Sequence, residues 1–88
     1  MKKINSAGIL GTGHYAPEKL LTNFDLEKMV DTTDEWIRTR TGIETRHIAS
    51  SGENTSDLCV KAAEKALEMA NLSADYIDFV MVATASPD

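Results

Sequence analysis

Near its end the chain reads Phe79-Val80-Met81-Val82-Ala83, a continuous apolar run. A run that does not alternate is the pattern of a strand covered on both faces, as in a parallel sheet. Such a strand demands a layer above and a layer below, and that restricts the fold more than any other feature here. The opening, Ile4 to Tyr15, reads as a second strand of the same kind, with Ile9 and Leu10 adjacent and Gly8, Gly11 and Gly13 thinning its packing. Strand, helices, strand is one right-handed crossover unit of an α/β fold. Two strands buried on both faces cannot close a sheet, and 88 residues bury only a modest fraction of their surface. The chain is therefore read as the opening part of a longer protein, ending at Ser86-Pro87-Asp88.

Between these strands the sequence supplies helices. Glu18 to Asn23 reads as a loop, with Asn23 able to cap a short helix from Phe24 to Val30. The main helix runs from about Ser56 to Ala70, capped by Asn54 or Thr55, with Asp57 in its first turn. Cys59, Ala62, Ala63, Ala66, Leu67 and Ala70 fall on one face, and an alanine-rich face implies close docking. Lys61–Glu64 and Lys65–Glu68 are favourable pairs on the opposite side. Asn71 suits the left-handed position past the helix, and Ser73 to Tyr76 forms a short turn. Ile43 to Ile48 reads as a short extended segment, and Ser50 to Asn54 as a surface turn.

The glycines formally match a dinucleotide fingerprint, Gly11-x-Gly13-x-x-Ala16. Pro17 pushes Ala16 out of helical space where the fingerprint should run into a long helix, and the next strong strand lies too far along. Close packing is the better account of these glycines. His14 has no partner at ligand spacing, so its expected role is local and structural.

The most patterned stretch is Asp31 to His47, DTTDEWIRTRTGIETRH. Thr32 or Thr33 caps a helix, Asp34 and Glu35 sit in its first turn, and Gly42 ends it. Trp36 and Arg40 are four residues apart and share a face. An indole beside a guanidinium suits an aromatic, phosphate-bearing ligand. The bland alternative has Trp36 covering a core and Arg40 paired with Glu35 or Glu44. Arg46-His47 could meet a phosphate, but a solvated or salt-bridged pair is the better account.

The string NFDLEKMVDTTDEWIRTRTGIETRHIA closely resembles the N-terminal signature of the β-ketoacyl-acyl-carrier-protein synthase III family, with ILGTGHYAPEKLLTN before it and DFVMVATASPD after it. The resemblance covers almost the whole chain and extends to relatives that make other products. It implies a thiolase-like layered α/β/α/β/α fold, of which residues 1–88 would be the opening β-α-β part of the first half-domain. It implies Trp36 stacking on the adenine of coenzyme A, Arg40 contacting its phosphates and Thr32 reaching the nucleotide end. Arg38 is an extra positive charge that departs mildly from the family pattern. The family's catalytic cysteine, histidine and asparagine would lie beyond Asp88, so no catalytic residue is assigned here. Cys59, on the alanine-rich face, is expected to be a small buried apolar residue.

The implied full-length activity is the condensation of an acetyl or acyl group from coenzyme A with malonyl-acyl-carrier protein, starting fatty-acid synthesis. Coenzyme A thioester would be a substrate, with no covalently bound cofactor and no metal. Expected partners are acyl-coenzyme A, malonyl-acyl-carrier protein, the remainder of the enzyme and a second copy in a homodimer. The alternatives are a secondary-metabolite acyl-coenzyme A condensing enzyme or acyltransferase, and a non-catalytic fragment or interaction module. A net charge of −5 without a basic stripe argues against nucleic acid. One cysteine permits no intramolecular disulfide and fits a reducing cytoplasm. Met-Lys-Lys is followed by no adequate apolar segment, so secretion is not expected, and no run is long enough for a membrane.

Overall fold

The computed structural model describes residues 5–88. Its elements are β1 (Lys19–Thr22), α1 (Asn23–Glu27), α2 (Asp34–Thr41), β2 (Thr45–Ile48), α3 (Thr55–Ala70) and a 3-10 turn (Ala74–Tyr76). They fall into two units, described separately. One is Ala16–Asn54; the other joins the described residues up to Tyr15 with Thr55–Asp88.

In the unit Ala16–Asn54, β1 and β2 pair antiparallel, with Lys19 opposite Ile48 and Thr22 opposite Thr45. The loop expected over Glu18 to Asn23 is therefore mostly strand. Its ladder partner lies far along the chain, where local pattern gives no hint. The short helix is also smaller than expected, ending at Glu27 instead of Val30. Its cap is Thr22, not Asn23. The Thr22 hydroxyl accepts the Asp25 N–H at 3.1 Å and the Asp25 carboxylate accepts the Thr22 N–H at 3.0 Å, a reciprocal capping box. Lys28 to Asp31 turns away from the helical path.

In the other unit α3 begins at Thr55, one residue earlier than expected, and ends at Ala70 before Asn71, whose φ of 56° is left-handed. Asp88 serves its N-terminus. That carboxylate accepts the Ser56 N–H at 2.9 Å and the Ser56 hydroxyl, and these bonds, the hydroxyl's first, hold its pKa below the ordinary value. Thr55 donates its hydroxyl to the Ser86 carbonyl at 2.6 Å.

The glycine segment lies directly on α3. A Cβ built on Gly11 would stand 2.4 Å from the Ala66 carbonyl oxygen, and one on Gly13 would stand 2.4 Å from that of Ala62. The alanine face does dock closely, on a segment that is neither a strand nor a helix. The Lys61 ammonium lies over the Tyr15 ring, 4.5 Å from its centroid.

Neither long strand expected from sequence is formed among the described residues. Ile4 lies outside them, and residues 5–17 and 77–84 carry no strand ladder. A strand needs a hydrogen-bonded neighbour, and neither run finds one, so the expected β-α-β crossover is not formed among the described residues, where β1 and β2 pair antiparallel elsewhere in the chain. Phe79 and Met81 are 77% and 84% exposed. Among the described residues no side chain of the hydrophobic core type is buried. The 88-residue chain by itself should bind an apolar-surface dye strongly and unfold without a sharp transition; a steep calorimetric peak from a monomer would contradict this. Gly13→Ala should loosen the segment on α3 by about 1–3 kcal/mol as an overpacked contact. Gly8→Ala, with nothing within 4 Å of its Cβ, should be neutral. Amide exchange along α3 in the two variants checks the contrast.

Candidate functional site

The site is built on α2. Thr33 is the cap: its hydroxyl accepts the Trp36 N–H at 3.1 Å. Thr32 is half-buried just before it and donates its N–H to the Val30 carbonyl at 2.9 Å. Gly42 closes the helix with φ 75° and donates its N–H to the Arg38 carbonyl at 2.8 Å. Both boundaries agree with the sequence reading, with Thr33 rather than Thr32 as the cap.

Trp36 and Arg40 do share a face. The Arg40 guanidinium carbon lies 4.7 Å from the Trp36 ring centroid, a cation–π stack. Trp36 remains 54% exposed. Asp31, Thr32, Thr33 and Trp36 line a hollow of about 300 Å³. Thr32 and Trp36 thus meet at one surface, and Arg40 reaches it by stacking on Trp36. The bland alternative is not what forms: among the described residues the ion pair on α2 is Arg38 Nε with Asp34 Oδ2 at 3.3 Å, leaving Arg40 to the indole. The extra charge of Arg38 is therefore paired with Asp34.

The scaffold behind α2 is polar. Glu27, at the end of α1, accepts the Asp34 N–H at 2.8 Å. Asn23 is 0% exposed, the one fully buried polar side chain among the described residues. Its Nδ2 donates to Asp34 Oδ1 at 2.9 Å and to the Ile43 carbonyl at 2.7 Å, while its Oδ1 accepts from Arg46 Nη2 at 2.7 Å. Arg46 also donates through Nη1 to the Leu21 carbonyl at 3.1 Å. The His47 ring nitrogen Nδ1 lies against the Pro17 carbonyl, the geometry of an N–H donor. Arg46 and His47 therefore bind the scaffold. Sequence reading missed Asn23 as the centre of this network. The Thr22-x-x-Asp25 spacing was the available signal, because a cap on Thr22 releases the Asn23 side chain for other partners.

Cys59 is half-buried and lines an apolar hollow of about 390 Å³ with Val60, Val80 and Val82. His14 is exposed, beside Thr12, Lys65 and Met69. No group of three His, Cys, Asp or Glu among the described residues is placed to hold a metal. No described helix is long and apolar enough to cross a membrane.

No family model matches the chain. A β-ketoacyl-[acyl-carrier-protein] synthase III of Caldanaerobacter subterraneus subsp. tengcongensis is 63% identical over 83 residues, 94% of this chain and 25% of that protein. The crystal structure of 3-oxoacyl-[acyl-carrier-protein] synthase III from Aquifex aeolicus is 58% identical with a TM-score of 0.69, covering 74% of this chain and 21% of that one. This chain is homologous to the β-ketoacyl-[acyl-carrier-protein] synthase III family. It spans about a quarter of the length of the curated relatives it matches. The priming β-ketosynthase from the R1128 polyketide pathway is also similar, at 40% identity and a TM-score of 0.74, covering 80% of this chain and 21% of that one. The segment is thus a small β/α portion of the thiolase-like condensing-enzyme fold.

The scaffold carries its own pH dependence. The Thr22 N–H, then its hydroxyl, hold the Asp25 carboxyl below its ordinary 3.8. A group with a depressed folded pKa contributes stability above its unfolded value and loses it as pH falls through the folded one. The α1 cap should therefore be intact above pH 3.8 and melt below it. Amide protection in α1 relative to the intrinsic exchange rate, followed down an acid titration, should fall in the parent and lie flat in Asp25→Asn.

Proposed function

We propose that residues 1–88 open the first thiolase-like half of a β-ketoacyl-acyl-carrier-protein synthase III and contribute its coenzyme A mouth. Trp36 stacks on the adenine, Arg40 meets the phosphates and Thr32 hydrogen-bonds at the nucleotide end. One observation carries this reading: the Arg40 guanidinium is held 4.7 Å from the Trp36 ring centroid, on an exposed surface shared with Thr32. The indole offers a π face and the guanidinium a fork of donors matched to phosphate oxygens.

In the full-length enzyme, an acetyl or short acyl group passes from the coenzyme A sulfur to a cysteine thiolate outside this segment. It then condenses with malonyl-acyl-carrier protein, releasing carbon dioxide and beginning a fatty acid. Coenzyme A is a substrate here, and Trp36, Arg40 and Thr32 hold it without doing chemistry. The working protein is a cytoplasmic homodimer in which this segment packs on the remainder of the same chain. A downstream cysteine, histidine and asparagine in the reading frame would support the enzyme, and a stop codon after Asp88 would favour a non-catalytic fragment.

A second reading has its own support, the similarity to the priming β-ketosynthase. In it the same mouth serves an acyl-coenzyme A condensing enzyme of secondary metabolism. Turnover with a panel of acyl donors and carrier proteins separates the two.

Stacking on an aromatic contributes about 1–3 kcal/mol per base. Trp36→Ala should therefore raise the KM for acyl-coenzyme A by roughly one to two powers of ten, with kcat retained. Arg40→Ala should act similarly, with an effect that shrinks as salt rises. An acyl thioester of pantetheine lacks the adenosine end, and both variants should use it like the parent. Equal damage with both thioesters would mean that Trp36 packs the fold.

A further inference from the structure

We infer that Asn23 is a positioning residue for the Trp36–Arg40 face, acting through Asp34. The inference rests on the coenzyme A reading and concerns what aims the site. Asp34 is the first residue of α2, and Ile43 follows the Gly42 that ends it. The single Nδ2 of Asn23 bonds both, at 2.9 and 2.7 Å. One buried amide therefore holds the two ends of the helix that carries Trp36 and Arg40. The Oδ1 of the same amide is fixed by Arg46 on β2, and the Asn23 N–H by the Glu44 carbonyl at 3.0 Å. Both the amide and its anchor are thus tied to the β1–β2 pair.

Asp34 divides its carboxylate between two tasks. Oδ1 takes the Asn23 amide and Oδ2 takes Arg38 at 3.3 Å. Losing the Asn23–Asp34 bond would leave the N-terminal end of α2 tied through the Glu27 carboxylate on the Asp34 N–H and leave a buried donor without its partner, which is the costly way to lose a hydrogen bond. A small swing of α2 moves the indole and the guanidinium together, so the expected loss is of ligand alignment and not of chemistry.

The test is made in the full-length enzyme with four variants. Asp34→Ala removes the acceptor and keeps Asn23 on Ile43 and Arg46. Asp34→Asn keeps an oxygen for Asn23 and gives up only the exposed pair with Arg38, which is worth little. Asn23→Ala removes the whole tie, and Trp36→Ala reports on the coenzyme A reading itself. Asp34→Ala should raise the KM for acyl-coenzyme A about tenfold, the loss of one charge-assisted hydrogen bond, and leave kcat and use of the pantetheine thioester unchanged. Asp34→Asn, which keeps a neutral hydrogen bond in place of the charge-assisted one, should lose clearly less than Asp34→Ala. If Asn23→Ala fails to fold, the Asp34 pair still decides. A ligand-free readout accompanies it: the Arg40 Nε–H resonance, shifted by the Trp36 ring current, should move in Asp34→Ala and stay in Asp34→Asn. The inference is overturned if that resonance does not move, if Asp34→Asn is no better than Asp34→Ala, or if both thioesters suffer equally. If Trp36→Ala leaves acyl-coenzyme A use intact while the resonance responds as expected, the coenzyme A reading falls and the positioning role stands.

Discussion

A buried carboxamide with every hydrogen bond made is the constraint around which the unit Ala16–Asn54 is arranged. Asn23 has no access to water, so each of its polar atoms must find a protein partner or the fold loses the full desolvation cost. It finds Asp34, Ile43 and Arg46. Those three belong to the start of α2, the residue past its end and the second strand. The buried residues of the unit are Pro17 and Asn23, and the directional bonds of Asn23 tie both ends of α2 to the second strand. Arg46 shows the same economy, spanning from β2 to both Leu21 and Asn23.

The parts of the site that depend on neighbouring residues were legible. A threonine before Asp34-Glu35 and a glycine after Thr41 state where α2 begins and ends, and a spacing of four places Trp36 beside Arg40. Parts that depend on distant residues were not. β1 pairs with residues more than twenty positions away, and nothing local in Lys19-Leu20-Leu21-Thr22 marks it as a strand. Asn23 was misread because an asparagine before a helix is usually its cap, and burial of a single polar side chain leaves no period in the sequence. The two apolar runs were read as strands covered on both faces, yet they form no strand among the described residues. Apolar pattern states what a segment must bury, while strand hydrogen bonding requires a neighbour that these residues do not contain.

The homology and the geometry bear on different questions. Identity of 63% with a synthase III and TM-scores of 0.69 and 0.74 fix the ancestry and the local fold. They are silent on which side chains meet a ligand. The proposal that Trp36 and Arg40 do so rests on the stack of one on the other. Stacking immobilises a long guanidinium side chain before any ligand arrives, so less rotamer freedom is lost on binding.

The contact between the glycine segment and α3 works as a vernier. Two extended residues advance about 6.6 Å, and four helical residues advance about 6 Å. Gly11 sits at Ala66 and Ala70, Gly13 at Ala62 and Ala66, so a step of two along one chain matches a step of four backward along the other. Sliding the segment by one residue would drive the side chain of Leu10 or Thr12 into helix backbone. Steric exclusion at the glycines therefore sets the register of these two segments without a ladder of backbone hydrogen bonds, and the Lys61 ammonium over the Tyr15 ring adds to it.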